Sequence, residues 1–204
     1  RPGRLFVAPT YVNTALFRAQ AAAKPANDVL VYVGRLEPQK NIGSLIEACA
    51  ITRSALQIIG NGSLRAELEA KARSLGVAAE FVSSFQNAEI AELYGTRRYF
   101  VLPSLQEGLP KALIEAMSSE MICIGTAIPG TTDLLREGET GYLAEGTDPQ
   151  AIAAAITRAR QDPRNLEVAA AARRHVLEHH SLPGYATREF EEITRALSPV
   201  GEAA

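Results

Sequence analysis

The feature that most constrains the fold is an alternation repeated along the chain. A short apolar run stops at a turn residue, and a stretch with apolar residues at helical spacing comes after it. Asp28 to Gly34 encloses Val29-Leu-Val-Tyr-Val33 and reads as a buried strand, rich in β-branched residues and ended by a glycine. Ile42 to Arg53 comes next, with Ile42, Leu45, Ile46 and Cys49 on one helical face. Ala55 to Gly60 repeats the strand pattern, and Ser63 to Leu75 the helical one, stopped by Gly76. Glu80 to Phe85 and Tyr99 to Ser104 read as strands separated by a short helix over Ala88 to Gly95. Pro110 to Ser119 is again helical, with Pro110 expected at the first helical position. Ile122 to Ile124 and Gly141 to Ala144 are further strands, with a short helix expected over Thr131 to Arg136. After Asp148-Pro149, a helix-start signal, the pattern is all helical: Ala151 to Gln161, Leu166 to His179 and Tyr185 to Leu197.

Parallel neighbours need long crossovers, so strands alternating with helices at this spacing imply a parallel sheet covered on both faces. The prediction is an α/β fold, a Rossmann-like doubly wound parallel sheet of about six strands with helices on both faces and a C-terminal helical segment. A chain of 204 residues that is 47% apolar can bury a sizeable core. A net charge of −2 gives no global attraction for nucleic acid or an anionic membrane surface. The two cysteines, Cys49 and Cys123, have no ligand spacing. They exclude a disulfide scaffold or Cys-rich zinc module and suit a reducing cytoplasm. No apolar run approaches the ~18 residues of a membrane span, and no stretch reads as a signal peptide. The opening Arg-Pro-Gly, without Met, reads as a piece of something longer.

Doubly wound sheets bind ligands at the carboxyl ends of their strands, so the chemistry is sought in the loop after each strand. After the first strand come Gly34, which lets a ligand approach the backbone, then Arg35 and Lys40, two cations suited to neighbouring phosphates or simply solvated. After the second lies Gly60-Asn-Gly62-Ser-Leu-Arg65, half of a dinucleotide fingerprint spoiled by Arg65. Glu80 stands at the start of a strand, where an acidic ribose ligand does not belong. This reads as a glycine turn for close packing. After the fourth comes the strongest signal, Glu107-Gly108-Leu109-Pro110-Lys111 running to Glu115, with two glutamates eight residues apart. Eight helical residues span ~12 Å, against the ~5–9.5 Å between glycosidase carboxyls, so a hydrolytic pair is disfavoured. The other reading has the carboxylates accepting hydroxyls of a ribose or sugar while backbone amides face a phosphate.

Taken together, these segments resemble the C-terminal donor-binding domain of a GT-B fold glycosyltransferase of family 4, the retaining, metal-independent group. The resemblance runs from Pro9-Thr-Tyr-Val-Asn-Thr-Ala-Leu-Phe-Arg18 through Val33 to Asn41, the Gly60–Gly62 turn and Ala91-Glu-Leu-Tyr94. It continues through Leu102-Pro-Ser104, the Glu-x7-Glu motif, Pro129-Gly130 and Glu137 to Leu143. It implies one half of a GT-B enzyme, with the acceptor half N-terminal to it. On that basis residues 1–19 form an interdomain lead-in, 20–181 the nucleotide-sugar-binding domain, 182–197 a C-terminal helix and 198–204 a loose tail.

The resemblance also implies roles. Arg35 and Lys40, with Gly34, hold the donor diphosphate. Glu107, the catalytic candidate, holds a hydroxyl of the transferred sugar. The amides of Gly108, Leu109 and Lys111 line sugar and phosphate, and Glu115 takes the ribose. Ser84 and Phe85 contact the base. No metal and no cofactor is implied, the substrate being a UDP-, GDP- or ADP-linked sugar. The acceptor, a glycan or lipid-linked, binds through the N-terminal half, and peripheral membrane contact of a full enzyme stays open. The chain alone is expected to bind without turnover. A non-catalytic nucleotide-sugar-binding regulator and a GT-B epimerase or hydrolase are the alternatives.

The sequence departs from the family pattern after Met117, where small-Gly-apolar-Pro-Val is replaced by Ser119-Glu120-Met121-Ile122-Cys123. The strand is expected to form, with a changed turn before it. Phe-Leu-Gly before the base site is replaced by Ser84-Phe85-Gln86. His175, His179 and His180 read as polar-face or cap residues, and Met117, Tyr142, Phe81 and Phe100 as core.

Overall fold

The structure, a computed structural model, describes residues 10–19, 29–83 and 86–197. Six parallel strands form one sheet: β1 (Leu30–Val33), β2 (Leu56–Ile59), β3 (Ala79–Val82), β4 (Tyr99–Leu102), β5 (Ile122–Thr126) and β6 (Tyr142–Ala144). Their order is β3-β2-β1-β4-β5-β6, so the chain reverses its direction of travel across the sheet between β1 and β4. Leu30 pairs with Leu56 on one side and Tyr99 on the other. β2, β4 and β5 are buried along their whole length, as parallel strands covered on both faces must be.

The helices are α1 (Ile42–Thr52), α2 (Arg65–Ser74), α3 (Asn87–Thr96), α4 (Lys111–Ser118), α5 (Pro149–Gln161), α6 (Asn165–His179) and α7 (Leu182–Leu197). α1 packs on α5 and α2, and α4 packs on α6. Ile42, Leu45, Ile46 and Cys49 are the buried stripe of α1, as their spacing predicts. Asp148 caps α5 by accepting from Ala151 N–H at 3.0 Å, with Pro149 in the first turn. α2 gives way to Gly76 at φ 66°. Met117, Tyr142 and Phe100 are core, Phe81 is partly buried, and both cysteines are buried. His180 is the C-cap of α6, its Nδ1 2.9 Å from Thr10 O.

Two local expectations are corrected. Thr131 to Arg136 forms turns rather than a helix. Thr140 Oγ1 donates to Leu134 O and accepts from Arg136 N–H, taking backbone groups that a helix would pair internally. Pro110 stands one residue before α4, at φ −74° and ψ 104°, and its carbonyl accepts from Leu113 and Ile114. In the turn after α4, Glu120 stands in the left-handed region at φ 54°. Of the lead-in, Val12 bridges Ser181 at the start of α7, and Phe17 is buried with its carbonyl bonded by Ser118 Oγ. The tail 198–204 lies outside the described residues.

Candidate active site

The sheet order sets the loop after β1 beside the loop after β4, and a doubly wound sheet opens its ligand crevice at such a reversal. The β1 loop begins at Gly34, whose N–H donates to Ile59 O at 3.0 Å. A Cβ there would stand 2.5 Å from Tyr32 Oη, which donates to Arg35 O at 2.9 Å. Tyr32 thus occupies the space a side chain at residue 34 would need. The loop closes through a 3-10 turn, Pro38–Lys40, into Asn41 at φ 54°. Asn41 Nδ2 donates to Pro103 O at 3.1 Å and Thr147 O at 2.7 Å, while its Oδ1 accepts from Ser44 Oγ at 2.8 Å. Leu105 N–H donates to Gln39 O at 2.8 Å, a second tie between the two loops.

These ties bring Lys40 Nζ to 2.7 Å from Glu107 Oε1. Ser104 Oγ donates to the same oxygen at 2.6 Å, and Ser104 O accepts from Thr126 Oγ1 at 2.5 Å. Gly34, Arg35, Lys40, Glu107, Leu109 and Lys111 all line one cleft of about 270 Å³, with Tyr32 and Pro110 in its wall. Arg35 is exposed there. Gly108 has open space where a Cβ would stand, and Gly130 passes close to its carbonyl. Gly130, at φ 81°, crosses so closely that a Cβ would fall 2.0 Å from Gly108 O.

Glu115 lies one turn along α4 from Lys111, buried to 7% exposure, with Lys111 Nζ 3.8 Å away. Burial pushes its carboxyl up to about 7, and the Lys111 charge only partly opposes this. A second hollow of about 380 Å³ shares Gly34 and Arg35 with the cleft and is lined further by Ile59, Gly60, Ser83 and Ile90. Ser84 and Phe85, expected at the base, lie outside the described residues. A larger hollow of about 410 Å³, between the ends of α1 and α2, contains none of the expected site residues.

The glycine turn after β2 serves packing. A Cβ at Gly60 would meet Gly34 O at 1.9 Å, and one at Gly62 would meet Leu36 O at 2.3 Å. Arg65 is held by Glu69 at 2.8 Å and by Phe81 O, and Glu80 accepts from Gln57 within the sheet. Among the described residues no group of three His, Cys, Asp or Glu is placed to hold a metal ion, and no helix is long and apolar enough to cross a membrane.

Sequence reasoning missed Tyr32, Asn41 and Ser104. Tyr32 reads as an ordinary strand residue. Asn41 and Ser104 gain a role only when separate loops meet, although Ser104 does stand three residues before Glu107.

The family described as "Glycosyl transferases group 1" matches residues 13–175. An alpha-1,4-N-acetyl-D-galactosaminyltransferase of Campylobacter jejuni, named for an undecaprenol-diphosphate-linked glycan, is 33% identical over 62% of this chain and 36% of its own. HepE of Anabaena, solved with UDP and glucose, superposes with a TM-score of 0.82 at 18% identity, over 93% of this chain and 56% of that one. The C-terminal domain of the group 1 glycosyltransferase LpcC of Francisella tularensis superposes at 0.75 with 22% identity, over 84% of this chain and 99% of that domain. The chain spans little more than a third of the curated relative's length. With its six-stranded doubly wound sheet, this chain belongs to the glycosyl transferases group 1 family and has the fold of a GT-B C-terminal domain.

Proposed function

We propose that this chain is the donor-binding half of a retaining, metal-independent family 4 glycosyltransferase that uses a nucleoside diphosphate sugar. One observation carries the reading: Arg35, Lys40, Glu107 and Lys111, drawn from the loops after β1 and β4, line a single cleft at the reversal of strand order. That HepE, of the same fold, was solved with UDP and glucose supports it.

In this reading the reacting bond joins the anomeric carbon of the sugar to the terminal phosphate oxygen. As it breaks, both electrons stay with that oxygen, and negative charge grows on the departing diphosphate. Arg35, Lys40 and the N–H groups opening α4 supply preorganised positive potential there, which stabilises the transition state more than the ground state. Glu107 accepts a hydroxyl of the sugar and Glu115 those of the ribose. The amides of Gly108, Leu109 and Lys111 border the sugar and phosphate. The acceptor oxygen attacks from the face the diphosphate leaves, which retains the anomeric configuration, and its proton departs with the diphosphate. The acceptor is a glycan or lipid-linked sugar, bound by an N-terminal half acting in the cytoplasm, and this chain alone binds without turnover.

Calorimetric titration with UDP, GDP and ADP tests the reading. One nucleotide is expected to bind more tightly than inorganic pyrophosphate, and Arg35→Ala to weaken it by about 1.5–3 kcal/mol, the range for bonds to charged groups. If none of the three exceeds pyrophosphate, the cleft is not a nucleotide site.

A further inference from the structure

Glu107 receives both of its protein donors on one oxygen. Lys40 Nζ lies 2.7 Å and Ser104 Oγ 2.6 Å from Oε1, and among the described residues none donates to Oε2. Ser104 is fully buried and its carbonyl is held by Thr126, so the carboxylate is fixed in place. The pair lines the cleft with side-chain exposures of 17% for Lys40 and 9% for Glu107, so water screens it less than a surface pair.

Lys40 therefore faces two claims. The ammonium that is to meet a diphosphate is already matched to a carboxylate in contact with it. A free diphosphate entering the cleft meets a lysine whose charge is offset and a carboxylate that repels it. An intact donor brings the same phosphates together with a sugar hydroxyl, which Oε2 is free to accept. Hydrogen bonding to the sugar thus compensates for a repulsion that the sugar-free product meets in full.

We propose, on the strength of the donor-site reading above, that Glu107 competes with the bound diphosphate for Lys40 and so weakens the cleft's hold on the nucleoside diphosphate product. Ser104 is a positioning residue in this device, keeping the carboxylate against the lysine. The pair then favours release of product once the sugar has left.

The test is a double-mutant cycle on this chain, titrated with inorganic pyrophosphate and with UDP, GDP and ADP. Removing the carboxylate charge is expected to tighten binding, against the usual effect of mutating a site residue. Glu107→Gln should bind pyrophosphate about three- to ten-fold more tightly, the scale of one partly screened charge pair. The gain should largely vanish when Lys40→Ala is already present, because the lysine is what Glu107 withholds. Pyrophosphate affinity that is unchanged or weaker in Glu107→Gln overturns the inference, and so does a gain that survives in full without Lys40. Should Glu107→Gln fail to fold, Glu107→Asp serves the same purpose, since the shorter carboxylate draws back from Lys40 and should give a smaller gain. Failure of the donor-site reading has a different signature: no nucleotide then exceeds pyrophosphate in any variant, whatever Glu107→Gln does to pyrophosphate itself.

Discussion

Glu115 shows how a single residue ties the site to the stability of the fold. Its carboxyl is buried on α4 and pushed up to about 7 from 4.5, chiefly by loss of water around it. Between those two values the folded chain holds a proton that the unfolded chain has lost. Stability from this group is therefore fully present below pH 4.5, falls as pH rises toward 7, and is flat above. The full loss is on the order of 3 kcal/mol. Urea melts at pH 5 and pH 8 are expected to show this decline in the wild type and a shallower one in Glu115→Gln. Equal declines in both would assign the pH dependence to other groups. The place of Glu115 in the spacing of the two glutamates was plain in the sequence, but its burial was not. The residues that share its helical face, Lys111, Ala112, Ser118 and Ser119, do not mark that face as apolar. Burial and the raised pKa both depend on what the rest of the fold packs around α4.

At the scale of elements, period and punctuation locate each strand among the described residues, and the misses come where side chains or turns outcompete propensity. Thr131 to Arg136 has enough apolar residues for one helical turn, but Thr140, further along the chain, captures its backbone groups. The sequence pattern sets Pro110 one place too far into its helix, because its fixed φ suits both the cap and the first turn, and only ψ decides between them. Glu120 is the sharper case. The chain after α4 turns through φ 54° at a residue that is not glycine before β5 takes its register beside β4. A side chain in the left-handed region costs roughly 1–2 kcal/mol, and the greater freedom of an unfolded glycine offsets about 0.4–1 kcal/mol of that. Glu120→Gly is accordingly expected to be more stable than Glu120→Ala by about 0.5–1 kcal/mol in urea melts, both having lost the same glutamate side chain. Equal stability of the two variants would mean that the left-handed backbone there carries no such cost.

For the whole molecule, the layered architecture follows from the alternation of strand and helix, but the site depends on strand order, which alternation does not specify. The adjacency of β1 and β4 makes neighbours of the loops that carry Lys40 and Glu107, and the packing of α5 on α1 brings Thr147, just before α5, beside them. Asn41 is where that order becomes chemistry. Its amide reaches carbonyls in the loops after β4 and β6, while its own backbone sits in the left-handed conformation that ends the β1 loop. Asparagine tolerates that conformation better than most residues and brings two donors to it. The two contributions separate by mutation. Asn41→Gly keeps the backbone geometry and removes the hydrogen bonds, which should cost about 1–3 kcal/mol, with about 0.4–1 kcal/mol more for the freedom of glycine in the unfolded chain. Asn41→Ala places a Cβ in the left-handed region without the tolerance of asparagine and should cost about 0.5–1 kcal/mol more than Asn41→Gly. Because Lys40 precedes Asn41 directly, both variants should also bind pyrophosphate more weakly, with the loop after β1 no longer held against that after β4. Melts matching the wild type, with undiminished pyrophosphate binding, would mean that the loops keep their register without this residue. Loss of binding with little loss of stability would instead place the three-loop tie in the service of the cleft rather than of the fold.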